Sequence, residues 1–369
     1  MQLTAIVPQL PPAIDGVGDY AFRLANELQQ SFNLTTQFIV GNPQWQDTGA
    51  IAPFKAQVVQ TRTQSDLLTL LKQGTPQNSL VLLHYVPHGY AQKACPFWLV
   101  RALEQWHTQF SNAHLLTFFH ELYALDWHRP WSSDFWFSPV QQHLTARVAQ
   151  LSDDCFTSTE RYVRQIQRLS QGKQKKIPAL PIFSNVGEVL TVLPLAQRQR
   201  KLIIFGQPHS KGRIYQESSS LLRHICHTLK IEIILDIGIP TGFAPTQIDT
   251  VPIQELGKLP MAEISHILSQ SLAGFSTYDP QRLSKSGIFA AYCAHGLLPI
   301  NHQGFSQPMD QLTADVHYWV PQLSQPLECH RAQEIATSAH AWYQAHSLST
   351  QANIFMDYLS QRLILPTDN

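Results

Sequence analysis

The stretch PPAIDGVGDYAFRLANEL, residues 11–28, places two glycines between an apolar run and an amphipathic pattern. The apolar run LTAIV, residues 3–7, predicts a buried strand, and the apolar residues that begin at Val17 recur at the spacing of a helix. Glycine lets a chain reverse tightly before a helix. Because it lacks a Cβ, it also lets an anionic or hydroxylated ligand approach the helix amides. Gly16 and Gly18 therefore predict either a structural turn or a ligand-binding loop.

Apolar runs alternate with helical patterns along the whole chain. In the first half, strands buried on both faces of a parallel sheet are predicted at 3–7, 36–40, 79–86, 114–120 and 155–159. A basic, proline-containing segment over 173–201 interrupts this pattern and is interpreted as a linker. Beyond it, strands are predicted at 201–206, 231–238, 251–257, 272–278 and 297–301, with helices near 214–229, 261–270, 286–295 and 351–365. We therefore predict two doubly wound α/β domains that face each other across a ligand-binding cleft.

The charge balance argues against nucleic acid as a partner. Lys plus Arg and Asp plus Glu each number 26 in 369 residues, so the attraction that dominates nucleic-acid binding is missing. The five cysteines lack the paired spacing of zinc or redox motifs, which predicts reduced thiols. The chain begins with an apolar run too short for a signal peptide and has no run long enough to span a membrane. We expect a cytoplasmic protein, for which peripheral contact with a membrane surface stays open.

A histidine and a glutamate follow the fourth apolar run. The segment LLTFFHELYA, residues 115–124, places His120 and Glu121 at the carboxyl end of a predicted strand. An imidazole in that position can donate a hydrogen bond to a sugar hydroxyl or transfer a proton. The alternative is a histidine that only caps the strand.

A cationic segment follows the first strand of the second half. In IIFGQPHSKGRIYQES, residues 203–218, Lys211 and Arg213 stand beside glycines, in a predicted loop just ahead of a helix. Charge and backbone amides at such a point converge on a phosphate. The alternative is a solvated surface loop.

A second cationic segment precedes the apolar run IFAAYCA. It contains four consecutive candidate residues, Ser284, Lys285, Ser286 and Gly287. A cation at a helix N-terminus opposes the helix dipole unless an anion lies between them, so Lys285 favours an anion site. The alternative for the serines is a helix N-cap.

Two further patterns have plain structural explanations. His224, Cys226 and His227 fall in one predicted helix without an acidic companion, which favours surface histidines over a metal site. The aromatic segment LYALDWHRPWSSDFWF, residues 122–137, is typical of a buried core. Its alternative is a platform that stacks on sugars or faces a membrane.

The order of these segments resembles that of the family 4 glycosyltransferases, which have the GT-B architecture. The loop at 11–28 is similar to the family's opening glycine loop, and LLTFFHELYA to its strand ending in histidine and an acidic residue. Four later segments resemble family motifs in the same order: VAQLSDDCFTSTERYVRQI (148–166), FGQPHSKGR (205–213), IQELGKLPMAEISHILSQS (253–271) and AAYCAHGLLPI (290–300). Together these segments cover most of the chain.

The resemblance implies an organisation and a reaction. Residues 1–185 would form an acceptor-binding Rossmann-like domain, residues 186–345 a nucleotide-sugar-binding one, and residues 346–369 a helix that crosses back to the first domain. The protein would move a hexose from a nucleotide diphosphate sugar to a saccharide or lipid-linked acceptor. Anomeric configuration would be retained, and no metal or other cofactor would be needed beyond the donor itself.

The resemblance also implies roles for individual residues. His120 would lie near the reacting sugar and Lys211 would neutralise the leaving diphosphate, which makes them the expected catalytic residues. Contacts to the donor diphosphate are expected from Gly16, Gly18, Lys211, Arg213, Ser284, Lys285, Ser286 and Gly287. Asp15 and Glu121 are expected to bind the acceptor.

The chain departs from the family pattern at specific places. Leu283 and Ala291 stand where the family carries two glutamates, Asp15 replaces a glycine, and Gln207 replaces an arginine. These departures support an alternative, a catalytically silent GT-B protein that binds sugar or acts as a scaffold. A third reading is a nucleotide-sugar epimerase, because that activity also uses two facing Rossmann-like domains.

Overall fold

The chain folds into two α/β units. The computed structural model describes residues 2–13, 15–74, 80–124 and 133–364. Contacts between residues group Met1–Leu180 with Leu348–Asn369, and Pro181–Ser347 by itself. The divisions predicted from the sequence, after residues 185 and 345, lie a few residues from these. Each unit contains a six-stranded sheet.

The sheet of the first unit is parallel throughout. Its strands are β1 (Gln2–Val7), β2 (Thr35–Val40), β3 (Lys55–Val58), β4 (Leu80–Tyr85), β5 (His114–Phe119) and β6 (Asp154–Thr157). They are ordered β3-β2-β1-β4-β5-β6, and all these neighbours pair in parallel. The strand order reverses between β1 and β4. The loops after these strands therefore lie where open α/β sheets bind ligands.

Helices cover both faces of the first sheet. They are α1 (Gly16–Phe32), α2 (Gln64–Gly74), α3 (Pro87–Tyr90), α4 (Phe97–Gln109), α5 (Ser133–Leu151), α6 (Glu160–Leu169) and the last helix of the chain, α12 (Leu348–Ile364). Side chains alternate along β1, so Ile6 packs in one core cluster while Ala5 and Val7 pack with Ala21 of α1 in another. Helix α12 contacts α1 and belongs to this unit.

The sheet of the second unit is parallel except at one edge. Its strands are β7 (Gln199–Phe205), β8 (Ile233–Ile237), β9 (Gln247–Ile248), β10 (Val251–Gly257), β11 (Ser271–Ser276) and β12 (Leu298–Asn301). The order is β12-β11-β7-β8-β10-β9, and the short β9 runs antiparallel to β10. The strands that follow β7 in the chain, β8 to β10, lie on one side of β7, whereas β11 and β12 lie on its other side. The reversal point of this sheet therefore lies between β7 and β11.

The helices of the second unit correct part of the sequence prediction. They are α7 (Pro208–Glu217), α8 (Ser219–Leu229), α9 (Met261–Gln270), α10 (Gly287–Ala294) and α11 (Cys329–Gln344). The loop predicted over 206–213 is wrong from Pro208 onward, because proline is pre-organised for the first position of a helix and α7 begins there. Gly212 lies inside this helix, where a Cβ would come within 2.9 Å of the Phe243 ring. The single helix predicted near 214–229 is two helices.

The predicted fold class of two parallel-sheet α/β units is confirmed, although the strands β3 and β9 and the helices α3, α5, α6 and α11 were not predicted. Among the described residues, no helix combines the length and apolar character that crossing a bilayer requires.

Candidate functional site

The N-terminus of α1 is closed by the protein's own carboxylate. Asp15 Oδ1 accepts hydrogen bonds from the backbone N–H groups of Val17, at 3.0 Å, and Gly18, at 2.7 Å. Asp15, expected to bind the acceptor, thus acts as the N-cap of α1. The Gly18 amide, expected to meet a phosphate, is bonded to that cap. Contacts of either residue with a ligand stay predictions.

The two glycines of this loop differ in their surroundings. A Cβ on Gly18 would lie 2.5 Å from the carbonyl oxygen of Gln9, so close backbone packing requires a glycine there. A Cβ on Gly16 would meet no described atom within 4 Å. Gly18 therefore has a structural reason to be glycine, whereas Gly16 borders open space.

Asp19 adds a second carboxyl group to the first turn of α1. Its pKa is raised from 3.8 to about 6, mainly because burial penalises the charged form and further because Asp15 is negative. Arg23 acts in the opposite direction. The start of α1 is therefore acidic, which opposes an anionic ligand at this place.

His120 lies in a buried cluster of rings. The residue is 4% exposed, and its Nε2 lies 3.0 Å from Nδ1 of His84 on β4. The ring stacks on Phe118 with 4.3 Å between centroids and meets Tyr20 edge-on at 5.1 Å. The Tyr20 hydroxyl donates a 2.6 Å hydrogen bond to Oε1 of Gln351 on α12. These contacts fix the plane of the His120 ring.

The His84 ring is neutral in this cluster. Burial lowers its pKa to about 3, because the charged form loses its hydration. A hydrogen bond between two imidazoles needs one N–H and one lone pair, so a neutral His84 ring suits this contact. Glu121, next along the chain from His120, is exposed, and its backbone N–H donates to the Tyr85 carbonyl at 3.3 Å.

A pocket of about 240 Å³ lies at the carboxyl ends of β7 and β11, the reversal point of the second sheet. Its polar lining consists of Ser210, Arg213, Ser276, Thr277, Tyr278, Asp279, Arg282 and Ser286, and the Asp279 carboxylate lies 3.8 Å from the Arg282 guanidinium. Guanidinium and hydroxyl groups of this kind donate hydrogen bonds to phosphate oxygens. Arg213 and Ser286 are the two residues of the predicted diphosphate set that border this pocket. The remaining lining residues were not predicted from the sequence.

Lys211 does not border this pocket. Its ammonium pairs with Oδ1 of Asp236 on β8, and neither side chain has exposed surface. The Tyr215 hydroxyl donates to the other oxygen, Asp236 Oδ2, at 2.5 Å. In this arrangement Lys211 offers no surface to a diphosphate, so its contact with the leaving group stays a prediction. Asp236 was missed in the sequence, although a carboxylate within the apolar stretch IILDI, residues 233–237, signals a buried partner.

The segment before α10 is held mainly by internal bonds. Ser286 Oγ accepts from the N–H of Phe289 at 3.2 Å and is the N-cap of α10, while Gly287 is the first residue of that helix. Ser284 is buried, and its hydroxyl donates to Asp310 Oδ2 at 2.6 Å. Lys285 is half-buried at the end of a 3-10 helix, Pro280–Lys285. Leu283 and Ala291, at the family's glutamate positions, are both buried.

The histidines of α8 and the aromatic segment 122–137 are the two remaining sequence patterns. Within that part of the chain, no three His, Cys, Asp or Glu side chains are grouped as a metal site. Of the aromatic segment 122–137, residues 125–132 lie outside the described residues, while Trp136 is exposed.

Comparison with known proteins identifies the fold. No protein-family model and no curated protein sequence matches the chain. Among solved structures, an α,α-trehalose-phosphate synthase (UDP-forming) from Burkholderia vietnamiensis aligns over 98% of this chain and 100% of its own, with a TM-score of 0.59 and 11% identity. The pneumococcal O-GlcNAc transferase GtfA, solved with UDP and GlcNAc, aligns over 99% of both chains, with a TM-score of 0.55 and 12% identity.

The structure of a putative UDP-N-acetylglucosamine 2-epimerase from Listeria monocytogenes is also similar. It aligns over 98% of this chain and 96% of its own, with a TM-score of 0.55 and 10% identity. These likenesses show that the chain has the GT-B fold. At such identities they concern the fold alone.

Proposed function

We propose that this GT-B protein is a glycosyltransferase that moves a hexose from a nucleotide diphosphate sugar to a saccharide or lipid-linked acceptor. The observation that carries the proposal is the pocket at the ends of β7 and β11, which two guanidinium groups border. Structures with this fold have been solved with UDP-glucose and with UDP and GlcNAc. Open α/β sheets bind ligands where their strand order reverses. A nucleoside diphosphate in this pocket therefore agrees both with the position of the pocket and with the ligands of those structures.

The first turn of α7 is the part of this pocket that suits a phosphate best. The N-caps of α1 and α10, Asp15 and Ser286, each bond to the first amides of their helix. Within the described chain, the Gln207 side chain makes no such bond to α7. The amides at the start of α7 and the nearby Arg213 therefore suit an anion.

The size of the pocket limits what it holds. Pockets for drug-sized ligands occupy about 300–1,000 Å³, and this one occupies about 240 Å³. We assign it to the diphosphate rather than to the whole donor. When the nucleoside diphosphate leaves, negative charge grows on its oxygens, and fixed cations stabilise that charge without a metal. Arg213 and Arg282 are the residues assigned to this task, and retention of configuration is part of the proposal.

We assign acceptor binding to the first unit. His120, oriented by His84, follows β5 and would donate to or accept from a sugar hydroxyl near the reacting carbon. Glu121 is exposed beside it and suits hydroxyl groups of a saccharide. The exposed backbone at Gly16 leaves room for the same ligand.

A catalytically silent nucleotide-sugar-binding protein is the second candidate. It is favoured by buried Leu283 and Ala291 at the family's glutamate positions and by the pairing of Lys211 with Asp236. Such a protein would bind a nucleotide diphosphate without turning over its sugar. An epimerase, which the likeness to the Listeria structure supports at the level of the fold, would convert a free UDP-sugar into its epimer.

A nucleotide panel tests the proposal. Wild-type protein is titrated calorimetrically with UDP, GDP and ADP and with their glucose and N-acetylglucosamine derivatives. A ligand at a hundred times its Kd should also raise the free energy of unfolding by about 2.7 kcal/mol. Absence of binding by the whole panel contradicts the donor site. NMR of the bound sugar nucleotide then separates transfer or hydrolysis, epimer formation, and binding without turnover.

A further inference from the structure

We propose that Lys211, Asp236 and Tyr215 form a buried clamp that positions Arg213 at the phosphate pocket, and that the Lys211 ammonium does not itself contact the ligand. We call these three residues the α7 clamp. The inference rests on the proposed function for the identity of the ligand. It reassigns Lys211 from a binding residue to a positioning residue.

The clamp joins one face of α7 to β8. Lys211 and Tyr215 are four residues apart, so their side chains lie on the same face of the helix. Lys211 Nζ pairs with Oδ1 of Asp236, and the Tyr215 hydroxyl donates to Oδ2 of the same carboxylate. Each carboxylate oxygen thus has its own partner on α7. This bidentate arrangement holds the helix at one rotation about its axis.

A different set of α7 residues borders the pocket. Ser210, Arg213 and Ile214 line it, and their spacing of three and four residues places them together on the helix. Rotation of α7 about its axis would therefore move the Arg213 guanidinium relative to Ser276 and Ser286 on the other side of the pocket. Fixing the clamped face fixes the face that meets the ligand.

Helix α7 depends on the α7 clamp because its own sequence is a weak helix former. It has ten residues, whereas isolated helices shorter than about 12–15 residues are marginal in water. Gly212 within it lowers helix propensity further. That glycine allows Phe243 to pack against the helix, at a place where a Cβ would be 2.9 Å from the ring.

The burial of the clamp predicts how it responds to substitution. Because Lys211 and Asp236 have no exposed surface, removing one of them leaves the other charge buried without its counter-charge. Burial and the negative Asp236 raise the pKa of Tyr215, which keeps its phenol protonated as a donor. Apolar side chains of similar size often replace a buried ion pair without loss of stability. A positioning role therefore survives an apolar replacement, whereas direct phosphate binding by Lys211 does not.

The experiment compares three variants with wild type. Asp236→Asn breaks the pair, Tyr215→Phe removes one hydrogen bond, and the triple variant Lys211→Met/Asp236→Leu/Tyr215→Phe replaces the clamp with apolar side chains. Arg331→Ala, which breaks an exposed ion pair with Glu334 in the same unit, is the control. Amide hydrogen exchange of α7 and calorimetric affinities for UDP, GDP and ADP are measured on each full-length protein.

The clamp predicts a specific set of results. Asp236→Asn speeds exchange in α7 and weakens nucleotide binding roughly tenfold or more, since a charge-assisted contact from Arg213 is displaced. Tyr215→Phe has the same effects to a smaller degree. The triple variant restores α7 protection and keeps an affinity within a few-fold of wild type. Arg331→Ala changes neither readout.

Several results would overturn it. Wild-type protection of α7 in Asp236→Asn contradicts the clamp itself, whether or not nucleotide binds. A folded triple variant with protected α7 and strongly weakened binding shows that the Lys211 ammonium meets the phosphate. If the triple variant fails to fold, unchanged nucleotide affinity in a Tyr215→Phe protein with faster α7 exchange contradicts positioning. Failure of wild type to bind any of the three nucleotides contradicts the proposed function instead, while the exchange measurement still decides the clamp.

Discussion

Lys211 and Arg213 lie two residues apart on α7 and meet different surroundings. The Lys211 ammonium is paired with Asp236 without exposed surface, whereas the Arg213 side chain is exposed at the pocket. Both cations were predicted from the sequence to meet a diphosphate. Both residues belong to α7, which begins at Pro208. Because they are two residues apart, their side chains lie on different faces of this helix. Arg213 is therefore the cation of α7 that can meet a phosphate in this pocket.

The paired glycines before α1 predict opposite responses to alanine. Gly18→Ala forces a Cβ against the Gln9 carbonyl and should lower the free energy of unfolding by about 1–3 kcal/mol. Gly16→Ala meets open space and should change it by less than about 1 kcal/mol. Urea unfolding of the two variants measures this difference. Equal losses in both would contradict the packing described for Gly18.

The Asp15 cap predicts a graded loss of stability. Asp15→Ala leaves the Val17 and Gly18 amides without their acceptor and should cost about 1 kcal/mol. Asp15→Asn retains a capping oxygen and should cost less. The urea midpoints of both variants check this order. If alanine is as stable as asparagine, the carboxylate contributes no cap.

The apolar pattern predicted most strands but not all local structure. Strands such as β1 and β4 are buried on both faces, so their sequences are nearly continuous in apolar residues. The four-residue β3, KAQV, is half-buried at a sheet edge and carries little pattern. Its partner β2 supplies the hydrogen bonds that make it a strand.

The candidate site was less predictable than the fold, because tertiary partners decide it. Proline and glycine in PHSKGR are typical of a loop, yet the segment is helical, with Lys211 paired to Asp236 and Gly212 packed close to Phe243. Arg282 reaches the pocket from the 3-10 helix Pro280–Lys285, which was not predicted although Asp279 and Pro280 are typical of a helix start. The order of the motifs along the chain indicates which segments lie near a ligand. It does not indicate which side chain of each segment contacts the ligand.

Asp19 predicts a pH-dependent contribution to stability. Its pKa is about 6 in the folded protein and 3.8 as the reference, so between these values the folded chain holds a proton that the unfolded chain has lost. The free energy of unfolding should therefore fall as pH rises from about 4 to about 6. Asp19→Asn should lack this contribution and be about 1–2 kcal/mol more stable than wild type at pH 7, after allowance for solvent screening.

Urea unfolding of wild type and Asp19→Asn between pH 4 and 7 measures the effect as the difference between the two curves. Asp15→Asn is a second test, since removal of its negative charge should lower the pKa of Asp19 and weaken the slope. Parallel curves for wild type and Asp19→Asn would contradict the raised pKa.

The pairing of His84 with His120 predicts that substitutions of these histidines lower turnover more than they weaken donor binding. His120→Ala should lower turnover roughly a hundredfold or more. Its effect on nucleotide affinity should be small, because we assign the diphosphate to the second unit. His84→Phe removes the nitrogen that meets His120 Nε2 and should lower turnover in the same direction. Steady-state kinetics with the nucleotide sugar that wild type uses measures both, and unimpaired turnover in His120→Ala removes it from the mechanism.

The nucleotide affinity of Arg213→Ala is the decisive measurement for the phosphate site. Calorimetric titration with the nucleoside diphosphate that wild type binds is compared with Arg223→Ala, which removes an exposed arginine of α8 that lies 3.7 Å from Asp249. We predict that affinity falls roughly tenfold or more in Arg213→Ala, because a charge-assisted contact to phosphate is lost, and stays at the wild-type value in Arg223→Ala. Wild-type affinity in Arg213→Ala would contradict a phosphate site at the ends of β7 and β11.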